Sequence, residues 1–159
     1  KHICTLMAAT CALLRAISFG YLLLVTCVLG NRCEGYGECG LNGICLVVKN
    51  SSHCSCPPGF DFVDRADFSK GCFQTPSRQT KRCSVGSAEM RDTGHVDWWG
   101  NDYQTITPIN LSACKKVCLD DCFCTVVIYA YLEGQGYCWK KTLPLRDGRA
   151  SSTRTAFVK

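Results

Sequence analysis

Fifteen cysteines in 159 residues constrain this chain more than any other feature. So high a density in a small chain fits two states: thiolates held by zinc, or thiols oxidised to disulfides outside the reducing cytosol. Structural zinc sites pair cysteines in Cys-x-x-Cys knuckles, commonly with histidine. This sequence has no Cys-x-x-Cys, and its histidines, His2, His53 and His95, are far apart. The spacing therefore predicts an oxidised scaffold with no metal and no cofactor. Cys4, Cys11 and Cys27 lie in an apolar leading segment, so 15 − 3 leaves twelve cysteines after Asn31, an even number suited to complete pairing.

The leading segment reads AISFGYLLLVTCVLG over residues 16–30, between Arg15 and Arg32. It is short for a bilayer span and resembles the apolar core of a signal peptide, with Val28 and Gly30 small enough to precede a cleavage site. Cleavage after Gly30 is expected. A signal anchor over residues 3–29 is the alternative, and it would hold Arg15 near its centre at a cost of ~2.5–3.5 kcal/mol. A chain that opens on Lys1 is expected to be an incomplete product. The formal charge is +5; without Lys1 and Arg15 there remain sixteen basic residues against thirteen acidic ones, or +3. Lys115-Lys116, Lys140-Lys141 and the group Arg146, Arg149 and Arg154 alternate with acids such as Asp120, Asp121 and Asp147, which reads as solvated surface. Nucleic acid is excluded as a partner, and a basic face for an acidic glycan or protein is the alternative reading.

Cys33, Cys39, Cys45, Cys54, Cys56 and Cys72 form a first group, with Cys54-Ser55-Cys56 followed by Pro57-Pro58-Gly59-Phe60. One residue between the fourth and fifth cysteines, then a Gly-aromatic pair and a last cysteine, resembles an EGF-like domain. That resemblance implies the pairs Cys33–Cys45, Cys39–Cys54 and Cys56–Cys72. About forty residues bury too little apolar area to offset their chain entropy, so covalent closure, at about 2–4 kcal/mol per loop, has to supply the difference. Gly35-Tyr36-Gly37-Glu38-Cys39-Gly40 has the form of a dinucleotide fingerprint but lacks the strand before and helix after that the site needs. Calcium-binding EGF-like units carry acids just before the first cysteine, whereas Asn31-Arg32 stands here; no calcium is expected.

Residues 73–82, FQTPSRQTKR, are polar, basic and proline-containing, the composition of an exposed linker. Cys83, Cys114, Cys118, Cys122, Cys124 and Cys138 then form a second group with different spacing. NLSACKKVCL (110–119) predicts a short helix capped by Asn110 or Ser112, with Cys114 and Cys118 on one face. TVVIYAYL (125–132) predicts a strand, EGQG (133–136) a turn into YCWKK, and residues 152–159 one more strand. This half resembles a PAN/apple-like domain, most closely that of the plant G-type lectin, or S-domain, receptor-like kinases, through DWWGNDY (97–103), CKKVCLDDCFC (114–124), GYCWKKTLPLRDGR (136–149) and AFVK (156–159). With the EGF-like half, the resemblance covers residues 33–159. It implies Cys114–Cys138 and Cys118–Cys124, with Cys83–Cys122 the remaining pair.

The expected fold is thus small and disulfide-rich: a leading segment over 1–30, an EGF-like β-hairpin module over 31–72, a linker over 73–82 and an α+β PAN/apple-like module over 83–159. In that family a lectin region precedes these modules, and a membrane span and kinase follow them; neither is matched in this chain, so signalling by the chain itself is not expected. No Gly-rich loop stands before a β3-type lysine, no H-R-D or D-F-G triplet occurs in the sequence, cysteines in disulfides are inert, and the histidines are isolated, which together argue against catalysis. The expected function is non-catalytic binding outside the cell or at its surface, as a receptor ectodomain fragment that contributes to partner binding or dimerisation; a secreted, truncated decoy or co-receptor is the alternative. The partner is a protein, a second copy of the chain included, with a glycan as the alternative ligand. Membrane contact is expected only through the leading segment or a downstream span. Trp98, Trp99 and Tyr103 are the candidate binding residues, since such side chains dominate interface hot spots; the competing reading puts one of the tryptophans in the core. Asn50-Ser51-Ser52 and Asn110-Leu111-Ser112 have the form of glycosylation acceptors. Non-reducing peptide mapping is expected to return two sets of three bridges among the twelve cysteines; one bridge joining residues 33–72 to 83–138 would overturn the two-module reading.

Overall fold

The computed structural model describes residues 33, 37–49, 51–76 and 88–159. Asn50, Cys83 and the leading segment, on which three of the expectations above fall, lie outside the described residues. The first half supplies a hairpin, β1 (Ile44–Val48) with β2 (Ser51–Ser55), and a smaller ladder, β3 (Phe60–Phe62) with β4 (Cys72–Gln74). Phe73 and Gln74, expected in the linker, belong to β4: Phe73 pairs with Asp61 and Gln74 with Phe60. Both side chains are exposed, so these two residues form a solvent-facing edge of the ladder rather than a connection.

The second half contains β5 (Arg91–Gly94), β6 (Val96–Trp98), β7 (Asp102–Ile106), the helix α1 (Leu111–Leu119), β8 (Val126–Leu132), β9 (Gln135–Lys141), β10 (Gly148–Ala150) and β11 (Thr155–Val158). Five of its strands form one antiparallel sheet in the order β5-β11-β8-β9-β7. β8 is central because VVIYAYL is β-branched and aromatic and apolar on both faces. Val126 and Ile128 point into one cluster, with Val96, Trp98, Leu145, Ala156 and Val158, whereas Val127 points into the other, with Phe157 and the cysteines of the helix. The turn between β8 and β9 is only Glu133-Gly134, both at positive φ (51° and 81°), the backbone that matches a two-residue hairpin. Gln135 and Gly136, expected in the turn, therefore pair in the ladder opposite Leu132 and Tyr131.

Asn110 is the N-cap of α1: its side-chain oxygen accepts from the Ala113 N–H at 2.8 Å. At the other end Lys159 Nζ donates to the carbonyls of Cys118, Leu119 and Asp121 at 3.0–3.2 Å, a cation on the negative end of the helix. Cys114–Cys138 ties the first turns of the helix to β9, and Cys118–Cys124 ties its last turn to the entry of β8. Cys33–Cys45, Cys39–Cys54 and Cys56–Cys72 close the first half. Cys122 is disulfide-bonded, and Cys83, its expected partner, is not among the described residues.

The halves do not hang as separate beads. β1 of the first half lies parallel to β10 of the second, Ile44 beside Gly148, and the sheet continues as β2-β1-β10-β6. Asn42 N–H donates to the Leu145 carbonyl and Leu145 N–H to Asn42 Oδ1, each at 2.8 Å. The Trp98 indole N–H donates to the Gly43 carbonyl at 3.1 Å, and Ile44 joins the cluster around Trp98. Gly148 is required where these elements meet: a Cβ there would collide with both the Gly43 carbonyl oxygen and Trp98 Nε1. The mixed sheet thus covers one face of the five-stranded sheet while α1 covers the other. Because the two halves share this core, non-reduced protein is expected to unfold in a single denaturant transition. Trp98→Ala should shift that whole transition by about 3–5 kcal/mol; two resolved transitions, one unmoved by the substitution, would disprove the shared core.

Candidate functional site

Two clusters of polar and aromatic side chains are built on the five-stranded sheet, and each uses one of two adjacent lysines. Lys140 and Lys141 follow each other on β9, so they project to opposite faces. Both are buried, at 5% and 1% relative exposure, which corrects their assignment to solvated surface. A buried ammonium has to be paired, and each has a carboxylate. Lys140 Nζ lies 2.5 Å from Asp121 Oδ2 and 3.0 Å from Gln104 Oε1 on the helix side. Lys141 Nζ lies 2.5 Å from Asp102 Oδ1, 3.0 Å from the Gly100 carbonyl and 3.6 Å from Asp97 Oδ1 on the other side. The sequence placed these lysines in a charge-mixed run, and only the strand register shows that the acids answering them are distant in the chain.

The candidate binding residues separate. Trp98 is fully buried and belongs to the core between the halves, which removes it from the binding set; its bond to Gly43 and its packing with Ile44, Leu145 and β8 fix it inward. Trp99, the next residue, is 55% exposed. The Arg154 guanidinium lies 4.9 Å from the centre of the Trp99 ring and 4.3 Å from that of Trp139, and Trp139 stacks on Tyr137 at 5.6 Å with 12° between ring planes. Arg154 is in turn held by the buried Asp97, Nη1 to Oδ2 at 2.6 Å. A cation between aromatic faces, locked by a buried carboxylate, holds Trp99, Trp139 and Tyr137 in one arrangement. Arg154 was read as one more solvated cation; no local pattern reveals that it reaches Asp97, 57 residues away.

Tyr103 stands in the other cluster. It lies on the edge strand β7, 43% exposed, and its hydroxyl donates to Asp121 Oδ2 at 2.8 Å. Burial, and then that hydrogen bond, pushes the Tyr103 phenol well above its ordinary range. The hydrogen bond from Lys140 is the main cause that holds the Asp121 carboxyl down at about 2, with the Phe123 N–H and Tyr103 adding to it against the opposing effect of burial. Phe123, 77% exposed, sits on this side between Cys122 and Cys124. Neither cluster pairs a nucleophile with a base, and no group of three metal-ligating side chains occurs among the described residues. No helix among them is long and apolar enough to cross a membrane.

These features define a small disulfide-rich protein, mostly strands around one short helix, whose exposed aromatic surfaces are pre-ordered by buried ion pairs. No family model matches the chain. Over 135 residues, 79% of the chain, it is 32% identical to the G-type lectin S-receptor-like serine/threonine-protein kinase LECRK3 of Oryza sativa subsp. indica. It is 35% identical over 136 residues to LECRK1 of Oryza sativa subsp. japonica, and 32% identical over 130 residues to the putative receptor protein kinase ZmPK1 of Zea mays. Over this region the chain is similar in sequence to the G-type lectin S-receptor-like serine/threonine-protein kinases. It spans 15–16% of the length of these relatives.

The low pKa of Asp121 has a sign. The group is ionised in the folded state down to about pH 2 but only to the ordinary carboxylate range near 3.8 when unfolded. Its contribution is therefore complete above about pH 4 and is lost as pH falls through about 2. The difference corresponds to about 2 kcal/mol as an upper figure. Asp121→Asn is expected to lower stability at pH 7 by about 1–2 kcal/mol and to flatten the dependence between pH 4 and 2. Denaturant titrations of both proteins across that window check this; equal slopes would show that Asp121 is not held by Lys140 and Tyr103.

Proposed function

We propose that this chain is extracellular, part of a receptor ectodomain, and that an EGF-like unit (31–72) and a PAN/apple-like unit (83–159) act together as one rigid, non-catalytic protein-binding module. The observation that carries this reading is the Trp99–Arg154–Trp139–Tyr137 array, exposed at Trp99 and fixed from beneath by Asp97. Aromatic and arginine side chains held in one conformation lose little entropy on contact, which is what interface hot spots require. Homology to receptor kinases over this region supports the receptor context, and the disulfides support an oxidising compartment. Kinase activity belongs to the relatives by name; here the chain contributes recognition.

The partner is a protein, with a second copy of the chain the first to test. Sedimentation of the full chain at about 100 μM detects contacts of roughly 5–6 kcal/mol. Trp99→Ala should weaken association by about 2 kcal/mol, some 30-fold in Kd, while leaving the unfolding transition in place. A chain that stays monomeric at that concentration overturns self-association. Association that persists unchanged in Trp99→Ala overturns this face as the binding surface.

A further inference from the structure

An open groove of about 500 Å³ lies between the start of α1 and the tip of the β8–β9 hairpin. Pro108, Ile109 and Asn110 form one wall, Tyr129 and Tyr131 the other, and Gly136 the floor. Gly136 has to be glycine, since a Cβ would strike the Ile109 carbonyl and crowd the Tyr129 hydroxyl. Tyr131 is 68% exposed, an aromatic face with nothing on it, and its hydroxyl is anchored to the Gly134 carbonyl at 2.7 Å. The groove therefore has a fixed shape and an uncovered apolar wall.

Asn110 lines that groove and heads the triplet Asn110-Leu111-Ser112. Helix capping and glycosylation draw on one side chain, but the geometry separates them. The cap uses only Oδ1, which accepts from the Ala113 N–H, so the amide nitrogen Nδ2 is not needed for it. Asn110 and Ser112 are both exposed. We infer that Asn110 Nδ2 carries an N-linked glycan whose first sugars lie in the groove against Tyr131. In the transfer, Nδ2 bonds to the anomeric carbon of a lipid-diphosphate-linked oligosaccharide, the carbon–oxygen bond to the diphosphate breaks, and the amide gives up one proton. The occupant follows from the attachment: a glycan tethered on the groove's own wall is held at high effective concentration over it, and the C–H face of a pyranose suits an exposed tyrosine ring. This inference rests on the extracellular reading above, because only an exported chain meets the transferase.

The test uses the full chain expressed through a eukaryotic secretory pathway, with disulfide formation recorded on the same protein. Mass spectrometry of the tryptic peptide that ends at Lys115 is expected to find a glycan on Asn110 in the parent chain and none in Ser112→Ala, which keeps the cap. Enzymatic removal of the glycan converts Asn110 to aspartate, which still caps the helix, so the two forms differ in the sugar and in one negative charge; Ser112→Ala, bare at an uncharged Asn110, controls for that charge. Amide exchange at residues 131–136 is expected to be slower in the glycosylated form, and Tyr131→Ala should abolish that difference. A secreted, fully disulfide-bonded chain with bare Asn110 overturns the glycan while leaving the extracellular reading intact. A chain retained with reduced cysteines overturns both. A glycosylated chain whose hairpin exchanges at the same rate after deglycosylation overturns the seating in the groove.

Discussion

Most of the architecture depends on the burial of Trp98 between the two halves of the chain. The indole is fully enclosed, its N–H satisfied by a carbonyl of the first half and its ring packed on Ile44, Val96, Leu145 and the inner face of the five-stranded sheet. The second half supplies most of its cover, in Val96, Val126, Ile128, Leu145, Ala156 and Val158, and the first half completes it with Ile44 and the Gly43 carbonyl. The parallel pairing of β1 with β10 makes the join a sheet rather than a loose contact. The result is a helix, a five-stranded sheet and a four-stranded mixed sheet in three layers, with the Trp99 and Tyr103 clusters on the outside.

The second constraint is electrostatic. Asp97 and Lys141 are buried almost completely, and Asp97 Oδ1 makes no hydrogen bond among the described residues, with Lys141 at 3.6 Å. A buried pair of this kind contributes little net stability, but removing one member leaves a charge stranded at a cost of about 3–5 kcal/mol. Its service is positional. Through Oδ2 of Asp97 it fixes Arg154, and through Arg154 it fixes the exposed ring of Trp99. On the other face, Lys140 does the same for Asp121 and Tyr103. Adjacent residues of one strand thus support two separate surfaces.

Much of this was legible beforehand. The β-branched run of β8, the helix with its two cysteines one turn apart and the asparagine cap all follow from short-range rules, and the structure forms each of them. Where the local reading slipped, the cause is also local. Glu133-Gly134 closes the hairpin in two residues, so Gln135 and Gly136 entered the strand, and Phe73-Gln74 were claimed by pairing with Phe60 and Asp61 that composition does not announce. The choice between Trp98 and Trp99 was left open because two consecutive tryptophans have identical propensities; Trp98 ends β6 and Trp99 lies just past it, and which one is enclosed depends on what packs there.

Sequence by itself determined the chemistry of the scaffold: oxidised cysteines in two groups, short strands, one capped helix and kinship with receptor kinases, because all of these are written in spacing and in residue type. Tertiary structure alone decided that the halves share a core, that Lys140 and Lys141 are buried, that Arg154 is a hub, and that Asn110 stands on the wall of a groove. Each of those facts joins residues tens of positions apart, through a strand register or a close approach such as Gly43 against Gly148 and Trp98, and such distances are set by packing rather than by any neighbour in the chain.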